Sequence, residues 1–163
     1  MILTLVLVPL LTALLVFLLP IKKTRFMEAS VIVAAGIELA IAFRVIALVA
    51  LEGSIRGTDA FALDGLSSYI VLLIALVGFF VSLYSVGYLR TEVGKGIIGP
   101  RRVRQLFILL EHFLFAMYLA VSTVNPIITW IAIEAMTLPT VFLISFYNKP
   151  TATEAAWKYL ILN

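Results

Sequence analysis

The sequence predicts an all-α polytopic membrane protein with five transmembrane helices, the start of a sixth, and its N-terminus outside. Three observations lead there. Of 163 residues, 63% are hydrophobic and 13% charged, and the mean hydropathy is +1.16, a balance that does not fit a water-soluble domain of this size. The apolar residues fall into runs long enough to cross roughly 30 Å of hydrocarbon at about 1.5 Å per residue. The basic residues gather in alternate connections between those runs.

Composition also sets limits on chemistry. With no cysteine and a single histidine, the chain excludes disulfides, thiolate-held iron–sulfur clusters, cysteine–zinc sites and a multi-histidine metal centre. The expectation is no catalytic residue, no metal and no cofactor in this chain. Net charge is +3 and the pI about 9.3. The positive charge is confined to connections between apolar spans, so anionic lipid head groups are the expected counterpart and nucleic acid is not.

The first span, residues 2–19, carries no charge and is followed by Pro20 and the basic cluster IKKTR. A signal peptide places its charges before the apolar run, so this reads as a retained helix, bent at Pro9 and stopped at Pro20. The second span, residues 29–51, contains Glu38 and Arg44. Six residues place them about 240° apart around a helix, so they do not pair with each other. Arg44 reads as snorkelling to the interface or meeting a neighbouring subunit. For Glu38, an ion-path role and a structural hydrogen bond both fit.

EGSIRGTDAFALDG supplies glycines and polar residues for a surface loop, with a short interfacial helix near Phe61. Asp64 is placed to cap the third span, residues 66–89, whose serines and Tyr84 offer interhelical hydrogen bonds. Next, RTEVGKGIIGPRRVRQ reads as a flexible basic loop. Its GKGIIG matches the glycine spacing of dinucleotide-binding loops, but that motif works between a buried strand and a helix, and here it follows a membrane span and precedes a proline.

The fourth span, residues 106–124, carries Glu111 and His112, which point about 100° apart on a helix. The histidine fits either a satisfied interior group or a proton relay. Asn125 and Pro126 then supply an N-cap and a first helical residue.

The fifth span is the one around which function is expected to turn. Residues 127–147 number 21 and hold one formal charge, Glu134. An ionisable group at membrane depth costs on the order of 2.5 to 3.5 kcal/mol, so it is kept by a partner, a hydrated cavity or a function. Five residues on, Pro139 removes an N–H, collides with the carbonyl of Ala135 and kinks the helix, leaving carbonyls and water beside the carboxylate. In the last segment Thr151 and Glu154 have capping-box spacing, and Glu154 and Lys158 stand at i, i+4. The 11 residues from 153 to 163 make too short a helix to cross.

The connections after spans one, three and five hold Lys22, Lys23, Arg25, Arg90, Lys95, Arg101, Arg102, Arg104 and Lys149, against only Arg56 on the other side. Positive-inside then puts the N-terminus outside and the basic loops in the cytoplasm of a cell-membrane protein. No loop is long enough for a catalytic domain. Two regions are expected: residues 1–105, three helices with basic loops, and residues 106–163.

DGLSSYIVLLIALVGFFVSLYSVGYLR, then VSTVNPIITWIAIEAMTLPTVFLISFY, then EAAWKYLIL, resemble the N-terminal part of the antiporter-like subunits. These occur in respiratory complex I, multisubunit sodium/proton antiporters, and membrane-bound hydrogenases with their sulfur-reducing relatives. WIAIEAMTL with EAAWKYLIL is most similar to the hydrogenase-4 component F type. The resemblance runs from about residue 64 to the end and makes residues 106–163 the start of the antiporter-like repeat. It implies that Glu134 matches the fifth-helix glutamate of the ion pathway and Lys158 a lysine early in the sixth helix. Family members continue through a seventh-helix lysine that partners the glutamate and a second, inverted repeat, neither of which this sequence reaches.

The implied function is that of a membrane subunit of an ion-translocating respiratory oxidoreductase, with redox chemistry in other subunits and antiporter-like subunits among its partners. The ion-path candidates are Glu134, Lys158, His112, Glu111 and Glu38. Lys158 is the cation of this chain placed to reach Glu134, unless a second polypeptide supplies one. The other reading is a truncated, non-conducting scaffold that stabilises the membrane arm of such a complex.

Overall fold

The computed structural model describes residues 1–147 and 150–162; Lys149 lies outside the described residues. In chain order the elements are α1 (Ile2–Leu18), α2 (Thr24–Glu52), β1 (Ile55–Thr58), β2 (Phe61–Leu63), α3 (Gly65–Gly94), α4 (Pro100–Ser122), α5 (Pro126–Ile144) and α6 (Pro150–Leu162). By length and composition α2, α3, α4 and α5 are each able to cross a membrane, and α1 is a shorter apolar helix of 17 residues.

Helix α4 is the hub: it packs on α1, α2, α3 and α5, while α2 and α3 lie along each other and α6 rests on α5. The buried faces repeat at alternating three- and four-residue steps. On α2 they run Val31, Ala34, Ala35, Glu38, Ala42, Val45, Val49; on α3, Val71, Ile74, Ala75, Gly78, Ser82, Ser85, Val86, Leu89. This spacing keeps one seam facing the neighbour along a whole helix. Alanine and glycine on the seam let backbones approach closely, the packing mode helices use in lipid. Gly78 shows how close: a Cβ there would lie 3.0 Å from Leu114 Cδ2.

Two apolar clusters fill the interior. One, at the hairpin end, joins Leu5, Val45, Leu63, Ile74, Leu114 and Tyr118. The other, at the basic end, joins Val16, Met27, Val31, Leu89, Phe107 and Phe146.

The α2–α3 connection is not a loop with an interfacial helix near Phe61. It is an antiparallel hairpin pairing Ile55 with Leu63 and Thr58 with Phe61, with a bulge at Gly57 between Arg56 and Thr58. The β-branched Ile55 and Thr58 suit a strand, and Leu63 is fully buried in the hairpin-end cluster. A three-residue strand alternates too briefly to announce itself against the surrounding hydrophobicity. The hairpin is also tied to the α4–α5 junction, where Val124 N–H and Thr123 Oγ1–H both donate to the Ala60 carbonyl, at 3.0 and 2.9 Å. As expected, Asp64 caps α3, accepting from Ser67 N–H at 2.8 Å, and Asn125 caps α5, accepting from Ile127 N–H at 2.9 Å with Pro126 in the first turn.

The long flexible loop expected before the fourth span is mostly helix. Only residues 95–99 separate α3 from α4, and Arg101, Arg102 and Arg104 lie on α4. The glycines of GKGIIG serve as a helix stop. Gly96 takes φ 71°, its N–H donates to the Val93 carbonyl, and Ile97 N–H donates to the Glu92 carbonyl, both at 3.0 Å. That is a Schellman cap, and Pro100 then opens α4. Likewise α6 begins at Pro150, so Thr151 sits in its first turn and not at a cap, and Glu154 is engaged by Lys158 instead of closing a capping box.

Candidate functional site

Between the two apolar clusters lies a polar layer. Val31 on α2 belongs to one cluster and Ala42 to the other, and Glu38 falls between them. On α4, Glu111 is likewise flanked by Phe107 and Leu114. Both glutamates are almost fully inaccessible, at 1% and 0% exposure, and each lies within electrostatic reach of the other. Tyr118, two turns after Glu111 on the same face of α4, is fully buried and its hydroxyl donates to Glu38 Oε2 at 3.3 Å. Ser82 on α3 is also fully buried. Among the described residues Glu38 Oε1, both carboxylate oxygens of Glu111 and Ser82 Oγ have no hydrogen-bond partner. An ionised carboxylate in such surroundings carries a penalty of several kcal/mol unless it is paired.

The other sequence candidates are placed differently. Glu134 is exposed on α5, where only Ala132 and Pro139 are buried. Its side chain has no hydrogen bond or ion pair among the described residues; only its backbone carbonyl is engaged, by Thr137 Oγ1–H at 2.8 Å. Pro139 lies inside α5 as expected but on the buried side, so it and Glu134 occupy different faces. Lys158 does not approach Glu134: its Nζ is 2.6 Å from Glu154 Oε1, and both side chains are largely exposed. His112 is half-buried, with its ring 5.8 Å from that of Phe115, and diverges from Glu111 as helical spacing requires. Arg44 is exposed, on the outer side of α2.

The five ion-path candidates therefore split. Glu38 and Glu111 come together in the interior of the α1–α4 group, while Glu134 and Lys158 lie outside it. Reading spans one at a time missed Tyr118, and took Ser82 only as one of several hydrogen-bonding groups on the third span. The signal was available: Tyr118 follows Glu111 by seven residues and Ser82 stands seven from both Ala75 and Leu89, one seam repeat each. Also missed was Glu28, 5% exposed, which accepts from Arg90 Nε at 3.1 Å and Nη2 at 2.7 Å and ties the start of α2 to the end of α3.

Residues 53–96, the hairpin and α3, match the family described as the N-terminus of chain 5 of NADH-ubiquinone oxidoreductase (complex I). A hydrogenase-4 component F homolog of Methylacidiphilum infernorum (isolate V4) is 34% identical over 102 residues, which is 63% of this chain and 21% of the relative. The NADH-quinone oxidoreductase subunit L of Mycobacterium tuberculosis (strain CDC 1551 / Oshkosh) is 35% identical over 112 residues, 68% of this chain and 16% of the relative. Over these residues the chain is similar to antiporter-like membrane subunits, through their N-terminal part. The aligned part is about a fifth or less of the length of these relatives. The family match covers the capped α3 and its hairpin, and Glu38, Glu111 and Glu134 all stand outside those residues.

Proposed function

We propose that the chain is a membrane subunit of a multisubunit ion-translocating respiratory oxidoreductase of the hydrogenase, sulfane reductase or NADH dehydrogenase-like kind. It contributes to proton or sodium movement coupled to redox chemistry carried by other subunits. The observation that carries this reading is Glu134: in a chain similar to such subunits, a carboxylate stands exposed on an otherwise uncharged 19-residue helix. A charge at that depth needs polar company, and the company has to come from a helix beyond those described. A cation carried by a neighbouring helix is the partner such a carboxylate needs, and movement of that helix towards or away from Glu134 is the step to which ion movement is coupled. Glu38, Glu111 and His112 extend the set of titratable groups across the chain.

The expected partners are other membrane subunits of a hetero-oligomeric complex, antiporter-like subunits among them. The chain is expected to span the cell membrane several times, with its basic connections in the cytoplasm. Anionic lipids suit the groove that Phe17, Arg101, Arg104 and Gln105 line at that end.

Replacement Glu134→Gln in membrane vesicles carrying the assembled complex is expected to abolish ion movement while leaving assembly intact. Pumping at the original rate with normal assembly overturns the role. The second reading, a non-conducting scaffold, is favoured by the engagement of Lys158 with Glu154 and not Glu134. On that reading the same replacement depletes the complex, and the ion movement of each complex that remains is unaltered.

A further inference from the structure

We propose that Glu38, Glu111, Tyr118 and Ser82 form a proton-binding site in the interior of the α1–α4 group, separate from Glu134. This deepens the ion-translocating reading, on which the use of the bound proton rests.

The site is built from three helices at one level. Gly78 of α3 meets Leu114 of α4. The two helices run antiparallel, so one turn further along α3, at Ser82, corresponds to one turn back along α4, at Glu111. Ser82 lies on the same buried seam as Gly78. On α2, Val45 packs with Ile74 and Ala75 in one cluster, and Val31 with Leu89 in the other. Glu38 lies midway between Val31 and Val45, as Ser82 does between Ala75 and Leu89. The unpartnered Ser82 Oγ thus lies at the level of the bundle that holds the unpartnered oxygens of Glu38 and Glu111.

No positive group faces this space among the described residues. Helix α1 contributes Thr12, whose hydroxyl is bonded to the Val8 carbonyl. On α3, Tyr69 and Tyr84 are exposed, Tyr88 bonds Tyr147, and Arg90 is held by Glu28. On α5, Glu134 is exposed, and on α2 and α4 themselves Arg44 is exposed and His112 is turned towards Phe115. Two carboxylates buried at one level with no cation beside them cannot both be stabilised as anions, so a proton held by one of them relieves the cost of burial. That proton comes from water and sits on one carboxyl as O–H, leaving the pair with a single negative charge. The Tyr118 hydroxyl donates to Glu38, and the hydroxyl of Ser82 is available to either carboxyl.

The test is infrared difference spectroscopy of the full chain in lipid vesicles, following the C=O stretch of protonated carboxyl groups at neutral pH. A carboxylic-acid band is expected that shifts or is lost in Glu111→Gln and in Glu38→Gln, is absent when both are replaced, and moves to higher frequency in Tyr118→Phe, which removes a hydrogen bond from Glu38. The component altered in Glu111→Gln is expected to survive in Glu134→Gln. Absence of any such band at neutral pH overturns the proposal, as does its unchanged persistence when both glutamates are replaced. Its collapse on adding sodium at fixed pH also does so, by assigning the site to an alkali cation. Should the glutamine variants not fold, an unshifted band in Tyr118→Phe is overturning in their place. Pumping by Glu134→Gln vesicles refutes the role given to Glu134 and leaves this site standing, so the two readings fail separately.

Discussion

Tyr118 of α4 donates its hydroxyl to Glu38 of α2 across 3.3 Å, the one side-chain hydrogen bond crossing the polar layer among the described residues. It joins the hub helix α4 to α2 through the interior of the bundle. Replacement Tyr118→Phe keeps the ring and leaves Glu38 Oε2 unpaired. Stripping the donor from a buried acceptor costs about 1–3 kcal/mol. Thermal unfolding followed by circular dichroism in detergent should show that loss, and an unchanged midpoint would show that the bond is dispensable.

The contact between Gly78 and Leu114 sets the spacing of α3 and α4. Gly78→Ala places a methyl group 3.0 Å from a leucine that is itself 4% exposed and has little room to yield. Overpacking of this kind costs about 1–3 kcal/mol. Gly87→Ala, with nothing within 4 Å of the added atom, is expected to be tolerated. Adding Leu114→Ala to Gly78→Ala should recover part of what the first change loses, measured as a double-mutant cycle; strict additivity would deny the contact.

Glu28 and Arg90 are asymmetric partners, with side chains 7% and 61% exposed. Removing Arg90 strands a buried carboxylate, whereas Glu28→Gln leaves the exposed guanidinium to water. Arg90→Ala is therefore expected to destabilise more than Glu28→Gln, and the double variant to be more stable than Arg90→Ala alone. Equal effects from the two single changes would contradict that ordering.

Asp64 gives the chain a pH dependence of defined sign. The Ser67 backbone N–H, then the Ser67 side chain, hold its carboxyl below the ordinary range. A lowered value in the folded state contributes stability that is present above the unfolded value of about 4 and is lost as pH falls through the folded one. The first turn of α3 should thus keep its amide protection down to about pH 4 and exchange faster below it. Asp64→Asn retains an acceptor and should abolish the pH dependence while leaving the cap; hydrogen exchange across residues 65–68 reads both.

How much of this was legible in the sequence differs by scale. Helix existence, the caps at Asp64 and Asn125, and the rejection of GKGIIG as a phosphate loop all followed from local chemistry, because a capping side chain and a left-handed glycine act on their immediate neighbours. Which face of each helix turns inward did not follow. In α2 and α3 nearly every position is apolar, so hydrophobicity carries no directional information, and only the small residues and the seven-residue recurrence mark the seam. For the same reason Glu134 drew attention ahead of Glu38 and Glu111. An isolated charge in an apolar run is conspicuous, but convergence of two such charges from separate helices depends on packing. The hairpin was illegible for a further reason: its three- and four-residue strands are shorter than any window in which alternation is distinguishable from chance.

The fastening of the hairpin to the α4–α5 junction makes the two ends of the bundle mechanically unlike. At the hairpin end, main-chain bonds clasp two connections together in a way that dissolved ions scarcely affect. The opposite end is held by its apolar cluster and by charge, Arg90 on Glu28 and Arg104 over the ring of Phe17. Rising ionic strength is therefore expected to act on the basic side, through the exposed Arg90, and to leave the clasped side as it is.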